Sequence, residues 1–105
     1  MTTANNPVVA KAIDAINSGD RAAFVALFAP GATMSDDGSE RDLEGWIDRE
    51  IFDADGHFRI QSQDPDGLTM LVRFTNSTYG AMNTRWHFVL SDDGASLRRF
   101  ETGQT

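Results

Sequence analysis

Residues 15–33, AINSGDRAAFVALFAPGAT, decide the fold. Asn17-Ser18-Gly19 closes a helix, because glycine tolerates the left-handed conformation that caps a helix C-terminus. Asp20 follows at once and suits the N-cap of a second helix, where its carboxylate accepts an orphan N–H. Phe24, Leu27 and Phe28 form the apolar stripe of that helix, and Pro30-Gly31 is read as its stop. Upstream, Pro7 opens the first helix well, since its missing N–H is not needed there. Val9, Ala12, Ile13 and Ile16 recur at helical spacing and give it one apolar face. A helical hairpin therefore stands at the start of the chain.

Downstream, Ala32–Asp36 reads as a short extended piece and Asp37-Gly38-Ser39 as a turn. Asp42 caps a third helix, Leu43–Phe52, with Trp46, Ile47, Glu50 and Ile51 on or near one face. From His57 the period changes from helical to alternating. The segments His57–Asp64, Leu68–Asn76, Met82–Ser91 and Ala95–Thr102 read as four strands. Pro65-Asp66-Gly67 and Asp92-Asp93-Gly94 are hairpin turns, so the strands form an antiparallel meander and the class is α+β. Phe58, Ile60 and Ser62 share a face, as do Met70, Val72 and Phe74, and Met82, Thr84, Trp86, Phe88 and Leu90 share another. The opposite face carries Leu71, Arg73, Arg85 and His87 and suits a homodimer contact.

Bulk properties narrow the function classes. A chain of 105 residues suits one domain, 1–105. It buries roughly 60–70% of its unfolded surface, so its core is modest. Cysteine is absent, which rules out thiolate nucleophiles, disulfides and zinc–thiolate sites. Net charge is −7, and the stretch Asp36–Asp55, with nine carboxylates against Arg41 and Arg49, carries all of it. Such a field repels phosphate backbones, so nucleic-acid binding is not expected. Met1–Pro7 has neither a basic n-region nor an apolar h-region, and no apolar run reaches the ~18 residues that cross a bilayer; a cytoplasmic protein without membrane association is the expectation.

The run Ala15–Asp20 followed by Phe24–Thr33 resembles the opening of nuclear transport factor 2-like proteins, the superfamily of SnoaL-like polyketide cyclases, ketosteroid isomerase and scytalone dehydratase. Trp46-Ile47-Asp48-Arg49-Glu50 is similar to a segment of small bacterial SnoaL-like proteins. The resemblance implies a cone-shaped α+β barrel, with three helices packed on a strongly curved antiparallel sheet over a pocket. It does not imply one reaction, because a fold of this kind hosts many functions. Against ketosteroid isomerase, whose base and oxyanion hole are well described, Asp36 falls at the position of the general base. Ala12 falls where the oxyanion-hole tyrosine should be, and Trp86 where its aspartic acid should be. Steroid isomerisation by that route is therefore not expected.

One carboxylate beside an aromatic wall remains. Asp36 is the candidate acid–base, with Asp37 as the alternative, since a one-residue slip of a strand exchanges their faces. Met34, Trp46, Glu50, Phe74, Tyr79, Trp86 and Phe88 are the candidate pocket residues. Arg49 reads as a surface ion pair with Asp53, four residues on. His57 and His87 lack the spacing of a metal pair, and Asp53-Ala54-Asp55-Gly56 fails the calcium-loop pattern because Ile51 and Ser62 stand at ligand positions; no metal and no cofactor is expected. The expected function is a pocket protein for a small apolar molecule. The alternative is a cofactor-free lyase, isomerase, cyclase or hydrolase that uses Asp36.

Overall fold

The computed structural model describes residues 3–105; Met1 and Thr2 lie outside the described residues. Helix α1 (Pro7–Ser18) starts at Asn6, whose Oδ1 accepts from the backbone N–H of Val8 and Val9 at 2.9 and 3.2 Å. It ends at Gly19, with φ +69° and its N–H donated to the Ile16 carbonyl. Helix α2 is only Arg21–Val25, capped by the Asp20 carboxylate on the Ala23 N–H. Strand β1 (Phe28–Asp36) and the short β2 (Ser39–Arg41) form a hairpin. Helix α3 (Leu43–Ile47), capped by Asp42, runs on as a π-helical turn, Asp48–Phe52. Strands β3 (His57–Gln63), β4 (Thr69–Asn76), β5 (Gly80–Leu90) and β6 (Leu97–Gln104) complete one curved, unclosed sheet in the order β2-β1-β6-β5-β4-β3.

Four local expectations are corrected. The second helix stops at Val25, so Leu27 and Phe28 are not part of a helical stripe. Phe28 opens β1 and packs its ring 5.1 Å from Phe24 and 6.0 Å from Phe100. Pro30-Gly31 lies inside that strand and marks a register shift between Phe28 and Thr33, where Gly31 has φ +77°. Proline is tolerated at such a bulge because no ladder N–H is required of it. The sheet is not antiparallel throughout: β1 runs parallel to β6 and brings the hairpin back beside the end of the chain. Finally, a bulge between Ile60 and Ser62 sets Ser62 opposite Leu71, so Ser62 is exposed and leaves the face that Phe58 and Ile60 share.

The concave face of the sheet and the helices enclose an aromatic core. Trp86 is its hub, 1% exposed, with the rings of Phe58, Phe100, Phe74, Trp46 and Phe88 at 4.9–6.0 Å. The edge strand β3 is held to α1 by Asn17, whose amide accepts from the Phe58 N–H at 2.7 Å and donates to the Phe58 carbonyl at 3.0 Å. One side chain thus supplies what a further strand would give an open edge. At the other edge Arg99 on β6 donates to Thr33 on β1 and to Glu40 on β2. That guanidinium holds the Glu40 carboxyl below its ordinary 4.5. A carboxyl depressed in the folded state stabilises it above the unfolded value, and the contribution is lost as pH falls through the folded value. Stability is therefore expected to fall below about pH 4.5, and Glu40→Gln to shrink that fall. Urea midpoints at pH 7 and pH 3 measure it, and equal losses in the two proteins would refute the coupling.

Candidate functional site

Strand alternation decides where Asp36 goes. Met34, Ser35 and Asp36 pair with Phe100, Glu101 and Thr102 of β6, and Thr102 pairs in turn with Trp86 of β5. Asp36, Thr102 and Trp86 thus form one row across the concave face. The Asp36 Oδ2 accepts from the Trp46 indole N–H at 3.0 Å. Asp37 is the first turn residue of the hairpin: Asp37 and Gly38 both have positive φ, +51° and +83°, as a type I′ turn requires. Its Oδ1 accepts from the Gln104 N–H at 3.0 Å, and its own N–H donates to the Thr102 carbonyl at 2.9 Å. Asp37 therefore ties the hairpin to the end of β6.

These residues border a cavity of about 210 Å³ between α3 and the ends of β1, β5 and β6. Of the residues named from the sequence, Asp36, Asp37, Trp46, Glu50, Phe74, Tyr79 and Trp86 line it. Met34 and Phe88 do not. Both are fully buried one step deeper, packed into the core that floors the cavity. Asn76, Met82, Thr84 and Thr102 line it as well and were not anticipated. Thr84 belongs to the same alternating set as Met82 and Trp86, so that pattern contained the signal.

The polar groups differ in what is left to them. Asn76 is spent on structure: its amide donates to the Glu50 carbonyl and accepts from the Tyr79 N–H. Thr84 accepts from the Trp86 indole at 3.0 Å and donates to the Val72 carbonyl. The Asp36 carboxylate has one oxygen engaged by Trp46. Glu50 makes no ion pair among the described residues. The ionic network lies elsewhere: Arg21 with Asp48 and Glu44, and Arg99 with Glu40 and Glu101. The expected Arg49–Asp53 pair does not form. The π turn, closed by the Asp53 N–H on the Asp48 carbonyl, takes Asp53 off the i, i+4 line. No Lys, Arg or His side chain lines the cavity.

A wider groove of about 1070 Å³ follows the seam between α1 and the edge strand β3. It is a surface trough where the helix lies on the sheet edge, without a concave aromatic wall. Among the described residues no group of three or more His, Asp or Glu side chains is placed to hold a metal ion. No helix there is long and apolar enough to cross a membrane.

This is the nuclear transport factor 2-like, or SnoaL-like, fold: a curved, unclosed sheet with helices packed on its concave face. Among solved structures, the chain is similar to an NTF2-like protein of unknown function from Cytophaga hutchinsonii, with a TM-score of 0.73 and 10% identity over 100% of this chain and 93% of that one. It is similar to a candidate polyketide cyclase from Sinorhizobium meliloti, with a TM-score of 0.71 and 21% identity over 90% and 92%. It is also similar to SalBIII, an epoxide hydrolase/cyclase-like enzyme of pyran ring formation in the polyether salinomycin, with a TM-score of 0.68 and 18% identity over 93% and 88%. No family model matches the chain, and no curated protein matches it in sequence.

Proposed function

We propose that the chain is a small-molecule pocket protein whose ligand is small and largely apolar, seated against Trp46 and Trp86 with its polar end at Asp36. The observation that supports this most is the row Asp36–Thr102–Trp86 on the concave face, with Asp36 steadied by the Trp46 indole and beside a cavity of about 210 Å³. Sites of this type combine apolar walls with a few placed polar groups. Both tryptophans of the chain line the cavity, so an occupant changes indole emission directly. Titration with a panel of uncharged aryl alcohols and ketones is expected to give a saturable emission change. Met82→Trp, which fills the cavity from β5, is expected to abolish it while the protein stays folded. A change that survives in the Met82→Trp protein would sink the assignment.

A second reading makes the same cavity a catalytic one. It is favoured by the pair of carboxylates on the wall, Asp36 from β1 and Glu50 from the π turn. In that reading a wall carboxylate removes a proton from the substrate and returns it elsewhere on the same molecule, which is cofactor-free acid–base chemistry. The likeness to cyclases supports a lyase, isomerase, cyclase or hydrolase. Asp36→Asn separates the readings: as an acid–base, Asp36 is needed for turnover but not for binding an uncharged ligand.

A further inference from the structure

We propose that the cavity is built for an organic cation, a protonated primary or secondary amine carried on a small apolar body. The inference rests on the cavity being a ligand site and names the charge of what fills it. Asp36 and Glu50 both line the space, and neither is ion-paired among the described residues. No cationic side chain shares the lining.

A further observation comes from Thr102. The residue is only 9% exposed, and its hydroxyl, which is accessible rather than buried, makes no hydrogen bond to the described residues, whereas its neighbours Thr84 and Asn76 are satisfied by the protein. Thr102 lines the cavity in the same row as Asp36, so an acceptor oxygen beside a carboxylate is left for an outside donor. Around them stand the aromatic side chains Trp46, Phe74, Tyr79 and Trp86, which suit the apolar body of such a ligand.

Charge disfavours the other ligand classes. An anion would meet three carboxylates, Asp36, Asp37 and Glu50, with no counter-charge. An uncharged apolar molecule would strip water from Asp36 and Glu50 and leave both uncompensated, which is costly for any buried ion. An ammonium neutralises one carboxylate outright and donates N–H groups to Asp36 and Thr102. The carboxylates of Asp36, Asp37 and Glu50 concentrate cations at the cavity.

Three probes of nearly equal size decide it: 2-phenylethylamine, 2-phenylethanol and phenylacetate, titrated at pH 7 into the whole chain by tryptophan emission and calorimetry. The amine is expected to bind at least about tenfold more tightly than the alcohol, and phenylacetate not to bind. Asp36→Asn is expected to weaken the amine far more than the alcohol and so to remove most of the amine's advantage. Glu50→Gln is expected to reduce the advantage in part. Alcohol binding as tight as amine binding overturns the cation inference and leaves the pocket standing. No binding of any of the three overturns the pocket itself.

Discussion

Trp86→Ala is expected to cost about 3–5 kcal/mol, the range for deleting a buried large aromatic side chain. The residue is 1% exposed and touches aromatic rings from four different strands and from α3, so its removal leaves a hole that no single neighbour fills. The indole N–H also donates to Thr84 at 3.0 Å, and Thr84 donates onward to Val72. Loss of the indole withdraws one bond of that buried chain but leaves the Thr84 hydroxyl a carbonyl to bond to. Packing therefore dominates the cost. A domain of this size is stabilised by about 5–15 kcal/mol in total, so the variant sits near the edge of folding. Urea unfolding of Trp86→Ala and Trp86→Phe separates the two contributions: Phe is expected to recover more than half of the loss. Added indole is expected to raise the midpoint of the alanine variant and not of the parent, because an apolar void binds an apolar guest. A loss below about 1 kcal/mol would mean the core collapses freely around the gap, and the rigid floor assigned to the cavity would be lost with it.

What the sequence reveals about this molecule follows the range of the interactions involved. Pro7, Gly19, Asp20 and Asp42 act on backbone groups within a few residues, and the structure puts helix starts and stops at all four. The alternation of β4 and β5 is equally local, and their faces fall as the pattern implies. Phe28–Gly31 misleads because Phe28 continues the helical spacing of Phe24 and Leu27 and Pro30-Gly31 resembles a helix stop. What makes it a strand is parallel pairing with β6, whose residues lie more than sixty positions away, and tertiary context overrides weak local propensity. Ser62 misleads because a single bulge reverses the parity on which face assignment depends. Asp36 and Asp37 were not separable by alternation alone. The Asp37-Gly38 turn separates them, since a two-residue I′ hairpin places Asp37 in the turn and keeps Asp36 in the ladder. Thr102 escaped notice for a different reason: a threonine near a strand end says nothing about its face until β1 is known to lie beside β6.

Gly67→Ala is the second large effect, expected at about 2–4 kcal/mol, and it tests the contact between the β3–β4 turn and the segment before α1. Gly67 sits in the β3–β4 turn with φ +71°, a conformation costing an alanine about 1–2 kcal/mol by itself. Its missing side chain is also where the chain before α1 passes: a Cβ there would lie 2.4 Å from the Asn6 backbone nitrogen and 3.0 Å from that of Asn5. Backbone cannot swing aside as a flexible side chain does. The segment is anchored, with the Asn5 N–H donated to the Gln63 side chain and the Gln63 amide donated to the Thr3 carbonyl. Asn6 is the N-cap of α1, so displacing it strains the helix start as well. Gly94 is the internal control. It has the same positive φ, +70°, in the β5–β6 turn, and a Cβ there meets nothing within 4 Å. Gly94→Ala is therefore expected to lose only the conformational part, about 1–2 kcal/mol, and the difference between the variants measures the docking of the N-terminal segment. Removing residues 1–5 from both is expected to narrow that difference. Equal midpoints for Gly67→Ala and Gly94→Ala in the full chain would show that the segment yields without cost and does not brace the helix that closes the cone.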